Sequence, residues 1–198
     1  MNHHHVAVFG LGTIGANVAK NLILADERLD LIVIDSDKVE ERNLFTQPYS
    51  RTHLGQPKTD AFLAMIYEVL GHFPERLATL NRRVDEKFSG AREATLLIDA
   101  FDNFKSRDLV HGLAIKSRVP VVHLGFSPDF IATILWNDKY VPNQAGIEGR
   151  DVCEVRETSW WLQGVVAIMT KNVLDYLQNK KTASQLIDKN FQIKKLDF

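Results

Sequence analysis

Val6-Ala7-Val8-Phe9-Gly10-Leu11-Gly12-Thr13-Ile14-Gly15 is the stretch that decides the fold. Four apolar residues read as a buried strand, and three glycines with G-x-G-x-x-G spacing follow. Residues 16–24 then carry a helical pattern. In that setting Gly10 permits the tight turn, Gly12 lets backbone approach a phosphate, and Gly15 allows helix and strand to pack closely. The helix start offers unpaired N–H groups and the positive end of its dipole to an anion. A second apolar run, residues 31–34, ends in Asp35, twenty residues past Gly15, where a carboxylate can accept hydrogen bonds from ribose hydroxyls. Strand, glycines, helix, strand and acid together point to nucleotide binding. They do not say which nucleotide, because a dehydrogenase uses the same turn for a dinucleotide.

Outward from this unit the alternation continues. A helix is expected over 58–70, a strand over 95–98, a helix over 107–116 and a strand over 119–124. Continuous apolar strands alternating with helices imply a mostly parallel, Rossmann-like α/β sheet with helices on both faces. Later the pattern changes. Residues 130–136 read as a strand and 140–148, with Pro142, Asn143 and Gly146, as a loop. The longest helix is expected over 160–177, and residues 191–198 alternate as an edge strand would. This half reads as an antiparallel extension of one sheet, so 1–198 is expected to be a single nucleotide-binding domain.

Composition narrows the function. With 198 residues, 45% of them hydrophobic and 25% charged, the chain has the make-up of a globular protein with a sizeable core. A net charge of −1 gives no general attraction to nucleic acid or to an anionic membrane, and no apolar run approaches the ~20 residues of a membrane span. One cysteine, Cys153, excludes an internal disulfide and suits a reducing cytoplasm. His72, His111 and His123 lack metal-ligand spacing, and the lysines of the C-terminal third read as a solvated face. Of the adjacent Trp160 and Trp161, only one can face the core.

Three further motifs follow the glycines in order: Ile34-Asp35-Ser36-Asp37-Lys38-Val39-Glu40-Glu41-Arg42-Asn43-Leu44, then Gly55-Gln56-Pro57-Lys58, then Asp99-Ala100-Phe101-Asp102-Asn103-Phe104-Lys105-Ser106-Arg107. With them the chain, from Val6 to about Leu177, resembles the ThiF/MoeB family, relatives of the ubiquitin-activating enzymes. The resemblance implies ATP binding and adenylation of the C-terminal glycine of a ubiquitin-like or sulfur-carrier protein, commonly by a homodimer. It also assigns roles. Asp35 holds the ribose, Asn43 bonds the phosphate region, Lys58 places a charge on the phosphates, and Asp102 holds Mg²⁺. Cys153, eleven residues before Gly164, matches a cysteine that takes the acyl group or joins sulfur transfer, with Arg150 and Arg156 near enough to lower its pKa.

Each residue also has a plainer reading. Asp35 can cap a strand end, Asn43 a turn, and Asp102 the helix after it; Lys58 can face solvent, and Cys153 can be a half-buried filler. Arg107 is expected to pair with Asp102 or Asp99 rather than touch ligand. The family pattern N-L-x-R-Q reads Asn43-Leu44-Phe45-Thr46-Gln47 here, so Thr46 stands where the resemblance implies an arginine on the phosphates. Arg42 and Arg51 flank the gap. Paired CxxC zinc ligands are absent, and the first strand follows directly on Met1–His5, where the family often carries a helix. Slow adenylation with replacement arginines, reliance on a partner subunit, and nucleotide binding without chemistry all stay open. So does an NAD(P)-binding oxidoreductase or sensor, which would leave Asn43, Lys58 and Asp102 without work.

Overall fold

In the central strands successive side chains point to opposite faces, and both faces are apolar, so each strand must be covered twice. Val6, Val8, Leu31, Val33, Leu96 and Ile98 belong to one buried cluster, while Ala7, Phe9, Ile34 and Leu97 belong to the other. The structure is a computed structural model describing residues 3–127, 129–137 and 156–196. The loop expected over 140–148, and Cys153 with Arg150, lie outside the described residues.

The elements run β1 (His4–Phe9), α1 (Thr13–Ala25), β2 (Leu29–Asp35), α2 (Lys58–Leu70), β3 (Leu77–Asn81), β4 (Leu96–Asp99), α3 (Phe104–Ser117), β5 (Val121–Ser127), β6 (Ile131–Trp136), α4 (Ser159–Asn179), β7 (Gln185–Ile187) and β8 (Ile193–Lys195). They build one eight-stranded sheet in the order β3-β2-β1-β4-β5-β6-β7-β8. The first five strands in that order are parallel, and β6, β7 and β8 add antiparallel to them. The Rossmann-like α/β reading with a late antiparallel extension therefore holds.

The chain steps outward from β1 to β2 and β3, then restarts at β4 and steps the other way. Right-handed crossovers consequently put α1 and α2 on one face and α3 on the other. Ala19, Leu22, Phe62 and Ile66 accordingly lie in the first cluster, and Val110, Leu113 and Ala114 in the second. Helix α4 returns to the first face, burying Trp161, Leu162, Val165, Val166, Met169, Val173 and Leu177 at helical spacing. Asn172 on α4 ties the extension down, accepting from Trp136 Nε1 (2.8 Å) and donating to the carbonyl of Ala183 (3.1 Å).

Two strands were not read from the sequence. β3, Leu-Ala-Thr-Leu-Asn, is an edge strand with only Leu77 buried, so it carries no apolar run. β7 has three residues. The expected tail strand is β8, also three residues long and exposed throughout. Among the described residues no helix is long and apolar enough to cross a membrane.

Beneath the carboxyl ends of β4 and β5, Asp99 and His123 are fully buried, with His123 Nδ1 donating to Asp99 Oδ2 at 2.7 Å. Burial pushes the pKa of His123 below its ordinary 6.5, against the pull of the Asp99 carboxylate. The unfolded chain therefore binds more protons than the folded one between that lowered value and 6.5. The stability this group contributes is present above pH 6.5 and is lost as the pH falls below it. Urea titrations should show the midpoint dropping over that interval. His123→Gln, less stable throughout, should lose that part of the pH dependence.

Candidate functional site

Strands β1, β2 and β4 end level, with Phe9 paired to Ile34 on one side and Asp99 on the other. The strand order reverses between β1 and β4, which is where open parallel sheets leave a crevice for ligands. The glycine turn fills its floor. Gly10 takes φ +93° and its N–H donates to the carbonyl of Ile34 at 2.9 Å. A Cβ on Gly15 would lie 1.9 Å from the carbonyl oxygen of Gly10, so only glycine lets α1 come this close. Around Gly12 no atom beyond the glycine and its chain neighbours lies within 4 Å of where a Cβ would be. Gly12 also starts α1 with no side-chain cap.

Asp35 holds this turn in place. Its Oδ2 accepts from Leu11 N–H (2.6 Å) and its Oδ1 from Asp37 N–H (2.7 Å). Burial pushes its carboxyl above the usual carboxylate range, opposed by the charge of Lys58 and by those two amides. The strand-end cap is thus present, and each oxygen keeps a second lone-pair direction for another donor. The buried Tyr49 hydroxyl donates to Leu11 carbonyl at 3.0 Å, securing the turn from the other side. No sequence signal pointed to Tyr49, which is 38 residues away along the chain.

Between β2 and α2 the chain pairs with itself. Val39 N–H donates to Gln56 carbonyl, Gly55 N–H to Val39 carbonyl, and Lys58 N–H to Asp37 carbonyl, each at 2.9 Å. Two of the sequence motifs are joined this way. Lys58 is only 8% exposed, which overturns its solvent-facing reading, and its Nζ bonds Asp37 Oδ2 at 3.2 Å. Asn43 is buried and its Oδ1 accepts from Glu40 N–H at 2.9 Å, the turn-capping role.

The third motif forms the opposite wall. Phe101 N–H donates to Asp99 Oδ1 (3.1 Å), and Arg107 donates from Nε to Phe101 carbonyl (2.5 Å) and from Nη2 to Leu124 carbonyl (2.7 Å). Arg107 is structural as expected, but its partners are backbone carbonyls rather than Asp102 or Asp99. The guanidinium fork spans β4 and β5 where their ends diverge. Asn103, not Asp102, caps α3, accepting from Ser106 N–H at 2.9 Å. Asp102 is exposed at the crevice, touched by Asn103 Nδ2 at 3.3 Å.

Thr46 is 3% exposed, and its Oγ1 lies 2.9 Å from that of Thr13 at the start of α1. Asn17 Nδ2 donates to the carbonyls of Thr13 (2.7 Å) and Thr46 (3.3 Å). Arg42 pairs with Glu40 at 2.6 Å and Arg51 with Glu41 at 3.2 Å. The two tryptophans divide as expected, with Trp161 fully buried and Trp160 60% exposed. His72 is exposed on a loop, while His111 lies in α3 and His123 in the core.

These features define a Rossmann-like α/β protein with its crevice at the strand-order reversal. The ThiF family model matches residues 1–195, and the chain belongs to that family. Solved structures with the same fold include PaaA, at 20% identity and TM-score 0.72, covering 98% of this chain and 64% of that one. E. coli MccB with ATP follows at 17% identity and TM-score 0.71, covering 98% and 63%. E. coli MccB with AMPCPP and MccA gives 17% identity and TM-score 0.72 over the same shares. The chain therefore spans less than two thirds of the length of these solved chains. No curated protein matches it.

The two glycines separate packing from ligand contact. Alanine normally stabilises a helix by ~0.5–1 kcal/mol over glycine. Gly15→Ala should instead lose ~1–3 kcal/mol in urea denaturation, because its methyl group must displace the Gly10 carbonyl. Gly12→Ala should stay within ~0.5 kcal/mol of the parent protein.

Proposed function

We propose that this chain binds ATP over the glycine turn and adenylates the C-terminal carboxylate of a peptide or small carrier protein. The observation that carries the reading is what converges on one sheet edge. An uncapped helix start under open space lies beside a buried acid, a buried lysine and an exposed aspartate. A dinucleotide dehydrogenase would need the turn and Asp35 alone. Family membership and the likeness to MccB, solved with ATP and with AMPCPP and MccA, favour adenylation.

In this reading the free lone pairs of Asp35 accept from the ribose hydroxyls. The N–H groups at the start of α1 meet the phosphates, and Asn43 bonds them from the loop beyond β2. Lys58 adds a cation that exchanges its Asp37 partner for phosphate oxygen. The donor set near Asp102, one exposed carboxylate, fits Mg²⁺, which takes few protein oxygens beside phosphate and water. Bound there, Mg²⁺ supplies further neutralisation of phosphate charge. A carboxylate oxygen of the acyl substrate attacks the α-phosphorus, the bond to pyrophosphate breaks, and the products are an acyl-adenylate and pyrophosphate. Holding the two reactants in line and offsetting their charge is the protein's contribution. We further propose that the Cys153 thiolate attacks the acyl carbon and releases AMP, leaving a thioester. The substrate would be a glycine-ended ubiquitin-like or sulfur-carrier protein, or a peptide as with MccB. The protein would work as a homodimer in the cytoplasm.

ATP–pyrophosphate exchange with such substrates tests the reading, and no exchange with any of them overturns it. Asp102→Asn should slow exchange by ~10²–10³ while leaving stability within ~0.5 kcal/mol, since the side chain is exposed. Cys153→Ser should leave exchange largely intact and abolish a reductant-sensitive acyl adduct seen by intact-mass spectrometry. Asp35 adds a pH dependence. Its acceptor role needs the ionised form, and burial raises its pKa. ATP affinity should therefore rise with pH through that raised value, above the range of an ordinary aspartate, and Asp35→Asn should flatten the profile.

A further inference from the structure

Cations near the glycine turn are mostly engaged. Lys58 bonds Asp37, Arg42 bonds Glu40, Arg51 bonds Glu41, and Arg107 directs its Nε and Nη2 to two carbonyls. Arg156, just before α4, is different. It is exposed, and its guanidinium carbon lies 3.9 Å from the centre of the Phe45 ring. Among the described residues no carboxylate forms an ion pair with it.

A guanidinium held over a ring face is attracted by the ring's quadrupole without giving up its N–H groups to an acceptor. The ring fixes the position of the charge and leaves its donors available. A carboxylate partner would have consumed both. The pedestal itself is rigidly placed. Phe45 precedes Thr46, whose hydroxyl meets that of Thr13 and whose carbonyl accepts from Asn17, both residues in the first turns of α1. The stacked cation is therefore tied to the helix start that the phosphates would face. Bidentate pairing with phosphate oxygens is what a planar guanidinium does best.

We propose that Arg156 is a ligand for the β- and γ-phosphates of bound ATP, held ready by Phe45. It would supply, from the segment before α4, the arginine charge that position 46 lacks. Thr46 would then serve as the polar pin of the pedestal. The assignment rests on the ATP reading above. It also gives Arg156 a different task from tuning Cys153, which lies outside the described residues.

Calorimetry on the full chain with Mg·ATP and with AMP tests it. Arg156→Ala should weaken ATP binding by about tenfold to a hundredfold, the range of a hydrogen bond to a charged group. AMP binding should change less than about twofold, because AMP lacks the outer phosphates. Arg156→Lys should recover part of the loss, since it keeps the charge without the fork. Phe45→Leu should weaken ATP selectively and by less, as it frees the cation without removing it. Both side chains reach solvent, so neither change threatens folding. Arg156→Ala binding ATP as tightly as wild type overturns the assignment and leaves the ATP site standing. Equal losses for ATP and AMP overturn it too, because the outer phosphates would not be the partner. Wild-type protein that binds no ATP removes the nucleotide reading itself.

Discussion

At Gly15 the fold comes down to the space for one missing methyl group. A Cβ there would meet the Gly10 carbonyl at 1.9 Å and Ala100 Cβ at 3.1 Å, so the helix start, the β1 turn and the end of β4 close on one point. That closeness is why α1 begins directly on the level ends of β1 and β4 instead of a turn further out. That start has no side-chain cap, and the space beside Gly12 is open. Any larger residue would push the helix outward and separate the walls of the site.

Around this contact a set of buried polar bonds fixes three chain segments that are distant in sequence. Asp35 and Tyr49 grip opposite ends of Leu11, one at its N–H and the other at its carbonyl. Thr13, Asn17 and Thr46 join the helix start to the loop after β2. On the far wall Asp99 and Arg107 hold the N–H and carbonyl of Phe101, one residue before Asp102. Residues proposed to meet the ligand thus stand on backbone held at both ends. A buried polar bond that loses one partner leaves the other unsatisfied, so these supports are costly to alter.

Much of the architecture was legible because β1, β2, β4 and β5 are largely buried on both faces and so carry apolar runs, interrupted in β5 by His123. β3 and β7 escaped notice for the opposite reason: one is a half-exposed edge and the other is three residues long. Glycine spacing and Asp35 located the crevice, since those residue types are demanded by local backbone geometry. Lys58 was read with two meanings, and only the pairing of 37–39 with 55–58 decides that it is buried on Asp37. Tyr49, the Thr13–Thr46 contact and the stacking of Arg156 on Phe45 depend on tertiary approach across long loops. Such contacts leave no periodicity or spacing to detect. Arg107 shows the limit from another side: a structural arginine was expected, but a nearby acid was a poor guide to its partners.

β8 has a consequence for solubility. An open sheet ends in a row of unpaired backbone groups that can recruit another strand. Among the described residues that outer row belongs to Ile193-Lys194-Lys195, three exposed residues of which two are lysines. A strand this short offers few hydrogen bonds to an incoming chain, and the two like charges repel a second copy laid antiparallel against it. The same three residues that add little to the core thereby guard the sheet against growing from that side.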